Sequence, residues 1–214
     1  MKKKILITRK LLKENEDKLK ELFDVKLNVN DEIYIADKIL ELSKDCDGIL
    51  CAVTDKFNNE LINKLSPSIK IIANYAVGYG NIDVNAAKEK NIVVTNTPEV
   101  LDDSTADVSI LLLLGASRKV LEARRAAERQ DWKWSADFML GKQMSNKRLG
   151  ILGMGRIGRA VAKRARGFNM EIHYHNRSQL SKDLEQGAVY HKTVKDLFNC
   201  SDFLSINCPA TKET

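Results

Sequence analysis

The sequence predicts an α/β fold with parallel sheets, arranged as two successive units. Two observations carry that reading. Short apolar runs alternate with segments of helical spacing from Lys4 to Thr97. A second strand–turn–helix series then begins at Lys147, with glycines at its turn. The composition agrees, since 43% hydrophobic and 30% charged residues in a 214-residue chain suit a folded protein with a proper core.

The elements follow in order. "KILIT" (Lys4–Thr8) is an apolar run that opens the chain as a buried strand. Leu11 to Phe23 is a helix, with Leu12, Leu19, Leu22 and Phe23 at helical spacing. "VKLNV" is a second strand and Ile33 to Leu42 a second helix. "GILCAV" (Gly48–Val53), "KIIANYAV" (Lys70–Val77) and "NIVVTNT" (Asn91–Thr97) supply three further strands. Helices from Phe57 to Leu65 and from Val84 to Lys90 fit between them. Five apolar strands joined by helices imply a parallel sheet covered on both faces, and this order fits a flavodoxin-like domain over residues 1–98.

At Pro98 the pattern changes. Asp102, Asp103 and Ser104 are capping residues ahead of a long helix from Thr105 to Gln130. Its first half, "ADVSILLLLGAS", is apolar nearly all round and is expected to be buried on several sides. "DWKWSADFMLGKQMSNK" then reads as an irregular loop whose Trp132, Trp134 and Phe138 are expected to pack against something, such as another subunit. Residues 99–146 are thus a linking helix and an aromatic dimerisation loop. From residue 147 the sequence reads as a second domain. "KRLGILGMGRIGRAVAKRARGF" holds a strand, a glycine turn and a helix; "MEIHYHN" is a strand, "TVKDLFNC" a short helix and "DFLSINC" a third strand.

Charge and cysteines exclude several classes. The net charge of +6 comes from 35 basic and 29 acidic residues, many of them interspersed, which describes a solvated surface. The best basic patch, "RKVLEARRAAERQ", carries acids and no aromatic residue on which a base would stack, so no nucleic-acid partner is expected. Cys46, Cys51, Cys200 and Cys208 form no CxxC and no zinc-type spacing and read as reduced thiols. "MKKKILITRK" has too few apolar residues for a signal peptide, and the longest apolar stretch, Ile110 to Ala116, is too short to span a membrane. A soluble, cytoplasmic protein without a membrane partner is expected.

The motif that carries chemistry is "GMGRIG", with Gly153, Gly155 and Gly158 in the spacing G-x-G-x-x-G between a strand, Leu149–Leu152, and a helix, Ile157–Arg166. Gly153 permits a tight turn, Gly155 lets backbone approach a pyrophosphate, and Gly158 lets helix and strand pack closely. In that context the string reads as a dinucleotide site. An acid about 20 residues further on would bind the ribose 2′-hydroxyl of NAD. Here Asn176 stands at that place, followed by Arg177 and Ser178, a guanidinium and a hydroxyl suited to a 2′-phosphate. NADP(H) is therefore favoured over NAD(H); the plain alternative is a strand-end arginine on a wet surface. His173 and His175 alternate on one strand, but no third ligand lies near them in sequence, and His191 carries no partner signal. No metal set is read.

From "KILIT" to "CPATKET" the chain resembles the NAD(P)-dependent D-2-hydroxyacid dehydrogenases, and within them the glyoxylate/hydroxypyruvate reductases. The stretches that carry the resemblance are "NYAVGYGNIDVNAAKEKNIVVTNTPEVL", "TADVSILLLLGASR", "GILGMGRIGRAVAKRARGF" and "DFLSINCPATKET", spaced as in that family. The resemblance implies a flavodoxin-like substrate domain and a Rossmann cofactor domain. It implies that the amides of Val77 and Gly78 hold a substrate carboxylate, and a glycine-rich turn after a strand is itself suited to an anion nest; a purely structural turn is the alternative. It further implies that Thr105 lies near the nicotinamide, that Arg156 and Ile157 contact the pyrophosphate, and that Cys208 and Pro209 lie near the adenosine. The long helix and the Trp132–Trp134 loop correspond to the family's homodimer interface.

The family's catalytic arginine, glutamate and histidine all lie beyond its equivalent of "CPATKET", so no residue of this chain is assigned a catalytic role. The expectation is a 2-keto acid reductase by family that is cut short at its C-terminus, leaving Leu149–Leu152 as an uncovered sheet edge and the polypeptide inactive alone. The alternative is a non-catalytic NADP(H)-binding or dimerisation module, with a DNA-binding repressor of this fold a distant third.

Overall fold

In the computed structural model, which describes residues 2–130 and 132–209, the chain divides into two units, residues 1–100 and 101–214. The "ATKET" part of the last quoted stretch, Ala210 to Thr214, lies outside the described residues.

The first unit alternates strand and helix: β1 (Lys4–Ile7), α1 (Lys13–Leu22), β2 (Asp24–Lys26), α2 (Ala36–Ser43), β3 (Gly48–Ala52), α3 (Asn59–Lys64), β4 (Ile71–Tyr75), α4 (Val84–Glu89) and β5 (Val93–Thr95). The strands form one parallel sheet in the order β2-β1-β3-β4-β5, the flavodoxin-like order. Each expected element is present, most of them shorter than its apolar run. Asn58 and Asp83 cap α3 and α4 by accepting from the Leu61 and Ala86 amides. Leu6, Ile49, Ile72, Phe57 and Ile62 form the core between sheet and helices. The helix α1 contributes least to it, because Leu12 and Leu22 face solvent.

The second unit opens with two helices where one was expected. α5 (Asp102–Ser117) ends at Lys119, which takes a left-handed conformation with φ 52°, and α6 (Val120–Arg129) follows. The Ser117 carbonyl, which in a continuous helix would accept from Leu121, instead accepts from the Lys142 amide at 2.8 Å. α5 is also less buried than its composition implies. Ala106 and Ile110 pack into the core beside Leu113 and Leu114, while Leu111 and Leu112 remain 65% and 66% exposed. Only one stripe of the helix meets α7 (Arg156–Arg166), where Arg164 pairs with Asp107 at 2.6 Å and with Asp103 at 3.0 Å.

The rest of the unit is β6 (Arg148–Leu152), α7, β7 (Glu171–His175), α8 (Lys182–Glu185), β8 (Val189–Tyr190), α9 (Val194–Cys200) and β9 (Phe203–Ile206). The sheet is parallel, with the order β8-β7-β6-β9. This corrects the expectation of three strands with Leu149–Leu152 at an edge. The third strand is the two-residue β8, too short to register as an apolar run. "DFLSINC" is the fourth; it crosses to the other side of β6 and pairs with Leu149 to Leu152. β6 is therefore central, which accounts for its burial: Leu149 and Ile151 are fully enclosed, each contributing on the order of 2 kcal/mol of apolar transfer. Arg148 and Asp202 clamp the start of the β6–β9 pair, the Asp202 carboxylate accepting from the Arg148 amide at 2.9 Å.

Candidate nucleotide site

The β8-β7-β6-β9 order makes a switch point at the C-terminal ends of β6, β7 and β9, because the chain leaves β6 first toward β7 and returns on its other side as β9. Parallel α/β sheets open a crevice at such a point. Here the crevice is a cavity of about 550 Å³. Its lining includes Gly153 and Gly155 from the β6–α7 turn, Asn176, Arg177 and Ser178 from the end of β7, and Asn207, Cys208 and Pro209 from the end of β9. Seven residues singled out in the sequence are thus brought to one cavity from three separate segments. Arg156, Ile157 and Gly158 form the first turn of α7 behind it, and Thr105 sits exposed in the first turn of α5, outside the lining.

The three glycines are required for different physical reasons. Gly153 has φ 91°, a left-handed value that L side chains rarely adopt, and a Cβ there would meet the Cys208 amide nitrogen at 2.8 Å. At Gly158 a Cβ would collide with the Gly153 carbonyl oxygen and press on Ile151 Cγ2 at 3.1 Å, so the missing side chain is what lets α7 sit against β6. Gly155 differs from both. It has no positive φ, and a Cβ on it would touch nothing within 4 Å. Among the described residues no neighbour crowds that position, which faces the cavity; the space suits the close approach of a ligand's phosphates.

Electrostatics point the same way. Gly155 is the N-cap of α7 and offers no side chain to cap the first turn. The first turn holds no acid, and Arg156 and Arg159 add positive charge to the positive end of the helix dipole. That arrangement is unfavourable by itself and favourable around an anion.

The role of Asn176 was not legible in the sequence. Its Oδ1 accepts from the Met154 amide at 2.7 Å, tying the end of β7 to the middle of the glycine turn. The Gly153 amide donates to the His175 carbonyl at 3.0 Å and completes the clamp. Behind the next turn, the Tyr174 hydroxyl donates to Glu185 at 2.7 Å and accepts from the Leu180 amide, while Gln179 donates to the same Glu185 oxygen. Burial, with the Glu185 hydrogen bond, pushes the Tyr174 phenol up to about 12, so it stays a donor at neutral pH. This network braces the segment that carries Arg177 and Ser178. Arg177 is exposed and has no carboxylate partner among the described residues.

In the first unit, Val77 and Gly78 follow β4. Their carbonyls accept from the Asn96 and Asn74 side-chain amides, each at 2.8 Å, and Asn74 also bonds to Asn81. Among the described residues no acceptor engages the Val77 or Gly78 amide. The turn is therefore held by its carbonyls with its N–H groups left over, and a Cβ at Gly78 would meet nothing. Of the three histidines, His175 borders the cavity of the second unit, and all three bond to one another or to backbone. His173 pairs with His191 rather than sharing a function with His175, whose Nδ1 lies 2.8 Å from the His191 carbonyl oxygen.

Residues 110–214 match the family model described as "D-isomer specific 2-hydroxyacid dehydrogenase, NAD binding domain". The whole chain aligns at 38% identity with a glyoxylate reductase of Thermococcus litoralis, covering 66% of that protein. It aligns at 36% identity with a glycerate dehydrogenase of Hyphomicrobium methylovorum, covering 67%. It also superposes on the NADPH-dependent glyoxylate/hydroxypyruvate reductase of Sinorhizobium meliloti, solved with NADP and malonate, at TM-score 0.84 and 31% identity; the match covers all of this chain and 64% of that one. The chain thus spans about two thirds of the length of these relatives. No helix among the described residues is long and apolar enough to cross a membrane. With a switch-point cavity floored by the glycine turn and matches along its whole length, the chain belongs to the D-isomer specific 2-hydroxyacid dehydrogenases, a family of nicotinamide-dependent oxidoreductases.

Proposed function

We propose that the cavity of the second unit binds NADP(H) in preference to NAD(H), in the service of reducing a small 2-keto acid of the glyoxylate or hydroxypyruvate type. The single observation behind this reading is the site's combination of an uncapped α7 N-terminus, open space at Gly155, and Arg177–Ser178 where an NAD site would place an acid. In the proposal the first turn of α7, with Arg156 and Ile157, holds the pyrophosphate. Arg177 and Ser178 take the 2′-phosphate, Cys208 and Pro209 flank the adenosine, and Thr105 lies toward the nicotinamide. The amides of Val77 and Gly78 hold the substrate carboxylate.

When bound, a reduced nicotinamide would supply a hydride, two electrons, to the carbonyl carbon of the keto acid. A proton must reach the carbonyl oxygen in the same reaction to give the 2-hydroxy acid. His173, His175 and His191 are occupied with one another and with backbone, so none is given the role of proton donor. The 214 residues alone are proposed to bind nucleotide without reducing keto acid. Steady NADPH oxidation with glyoxylate by a mass-verified 214-residue species would overturn that part of the reading.

A homodimer is proposed through the exposed side of α5 and the aromatic loop. Leu111 and Leu112 on α5 and Leu121 at the start of α6 are exposed, Trp134 is 81% exposed, and Trp132 stacks on Phe138 with ring centroids 5.6 Å apart.

Cofactor choice is tested by two substitutions. Arg177→Ala is expected to weaken NADPH binding about tenfold or more while leaving NADH nearly unchanged, as read by fluorescence titration of both nucleotides. Equal losses for the two would sink the assignment. Asn176→Asp retains an oxygen for the Met154 amide and presents a second, negative one to the ribose. Its expected effect is a shift of the NADH-to-NADPH affinity ratio by about tenfold toward NADH.

A further inference from the structure

The segment after β8 and the end of α9 bring together side chains that sequence spacing leaves apart. His173 Nδ1 lies 2.9 Å from His191 Nε2, and the Cys200 sulfur lies 3.4 Å from that same nitrogen. The three donor atoms all fall within 4.8 Å of one another. We propose that His173, His191 and Cys200 form a zinc-binding site, with a water molecule as fourth ligand.

Four observations support it. First, the donor set is suited to the ion, since imidazole nitrogen and thiolate sulfur are the common ligands of zinc. Second, the spacing is close to what the ion needs. Zn–N bonds of about 2.0 Å and a Zn–S bond of about 2.3 Å put tetrahedral ligand atoms roughly 3.3–3.6 Å apart. The His191–Cys200 distance already matches, the two imidazole nitrogens need to separate by a few tenths of an ångström, and His173 Nδ1 and the Cys200 sulfur, which lie within 4.8 Å of each other, need to come to about 3.5 Å.

Third, the outward nitrogen of His173 is unassigned by the fold. His173 is 8% exposed, and its Nε2 is buried with no hydrogen-bond partner among the described residues. The Glu171 carboxylate stands 3.7 Å from it. A metal on Nδ1 puts the ring proton on Nε2, facing that carboxylate, which is the usual outer arrangement of a metal-bound histidine. Fourth, the ligands are held in place. His173 sits on β7 in register with Val189, the His191 amide donates to the Tyr174 carbonyl at 2.8 Å, and Cys200 is fixed in the backbone as the last residue of α9; its thiol hydrogen bond to the Leu197 carbonyl is given up when the ion binds.

The proton balance is simple. On binding, the Cys200 thiol loses one proton to solvent, and each imidazole keeps its single proton on the nitrogen turned away from the metal. His191 and Cys200 are only half-buried, which leaves a path for the ion and its water.

The test is titration of the full chain with zinc by calorimetry, and with cobalt by absorption, where thiolate-to-cobalt charge transfer reports the sulfur ligand directly. One ion per chain with a dissociation constant of about 1 μM or tighter is expected. Cys200→Ser and, independently, His191→Gln are each expected to weaken binding on the order of 100-fold and to abolish the charge-transfer band, while Cys208→Ser leaves both unchanged. Thermal melts identify any variant that fails to fold, and the other then carries the comparison. Should both fail to fold, the unaltered chain decides, by showing or lacking the one-to-one charge-transfer band. Absence of that band, or variants that bind as tightly as the unaltered chain, overturns the proposal.

Discussion

Gly155→Ala is expected to leave the folded chain almost untouched and to weaken nucleotide binding on the order of 100-fold, about 2.7 kcal/mol. The free protein has room for the methyl group, because a Cβ at Gly155 meets no atom within 4 Å and the backbone there is not left-handed. The remaining cost is that of alanine in place of glycine at an N-cap, so a loss of stability of no more than about 1 kcal/mol is expected. The same methyl group stands at the N-cap of α7, where in the proposed binding mode phosphate oxygens would approach backbone N–H groups to within hydrogen-bond distance. Melting temperature and NADPH titration on one preparation separate the two effects. Unchanged affinity would mean that the phosphates do not lie over this turn.

Gly158→Val, three residues on in the same motif, is expected to do the opposite. Its Cβ would be driven into the Gly153 carbonyl oxygen and against Ile151, both parts of the rigid β6–α7 joint. Neither neighbour is the far end of a flexible side chain, so helix and strand must separate. Overpacking of this kind is expected to cost about 3 kcal/mol, and the melting temperature should fall by roughly 10 °C. Calorimetric or circular-dichroism melts read it directly. A fully stable Gly158→Val chain would show that α7 can slide on β6 and that the close contact is not needed. Together the pair tests whether one six-residue string divides its work between ligand and fold.

Much of this was open to inspection in the residues. Apolar runs such as "KILIT" and "GILCAV" announce buried strands because burial on both sheet faces demands apolar side chains along the whole run. The glycine turn at the switch point was readable for a related reason, since glycine spacing constrains backbone within one turn, whereas Cys208 and Pro209 were reached only through the resemblance to the family. Where the reading failed, the determining partner was far away or the element too short. Val189–Tyr190 is two residues long and leaves no periodic trace, so by apolar runs alone "DFLSINC" reads as the third strand although it is the fourth. α5 looks buried all round in composition, yet it meets the rest of its unit along one stripe only, and the exposed Leu111 and Leu112 are decided by which neighbours are present. The helix break at Lys119 depends on Lys142 reaching the Ser117 carbonyl from the far end of a loop.

What the amino-acid sequence determined by itself was therefore local: two α/β units, parallel pairing, and a glycine turn between strand and helix. Periodicity and glycine spacing are properties of neighbours along the chain and need no knowledge of the packed state. Only the tertiary structure decided which strand lies beside β6, that Asn176 holds Met154 across 22 residues, and that His173 faces His191 across 18 with Cys200 alongside. Those arrangements arise from hydrogen-bond register and helix packing between distant segments, and no spacing rule in the sequence encodes them.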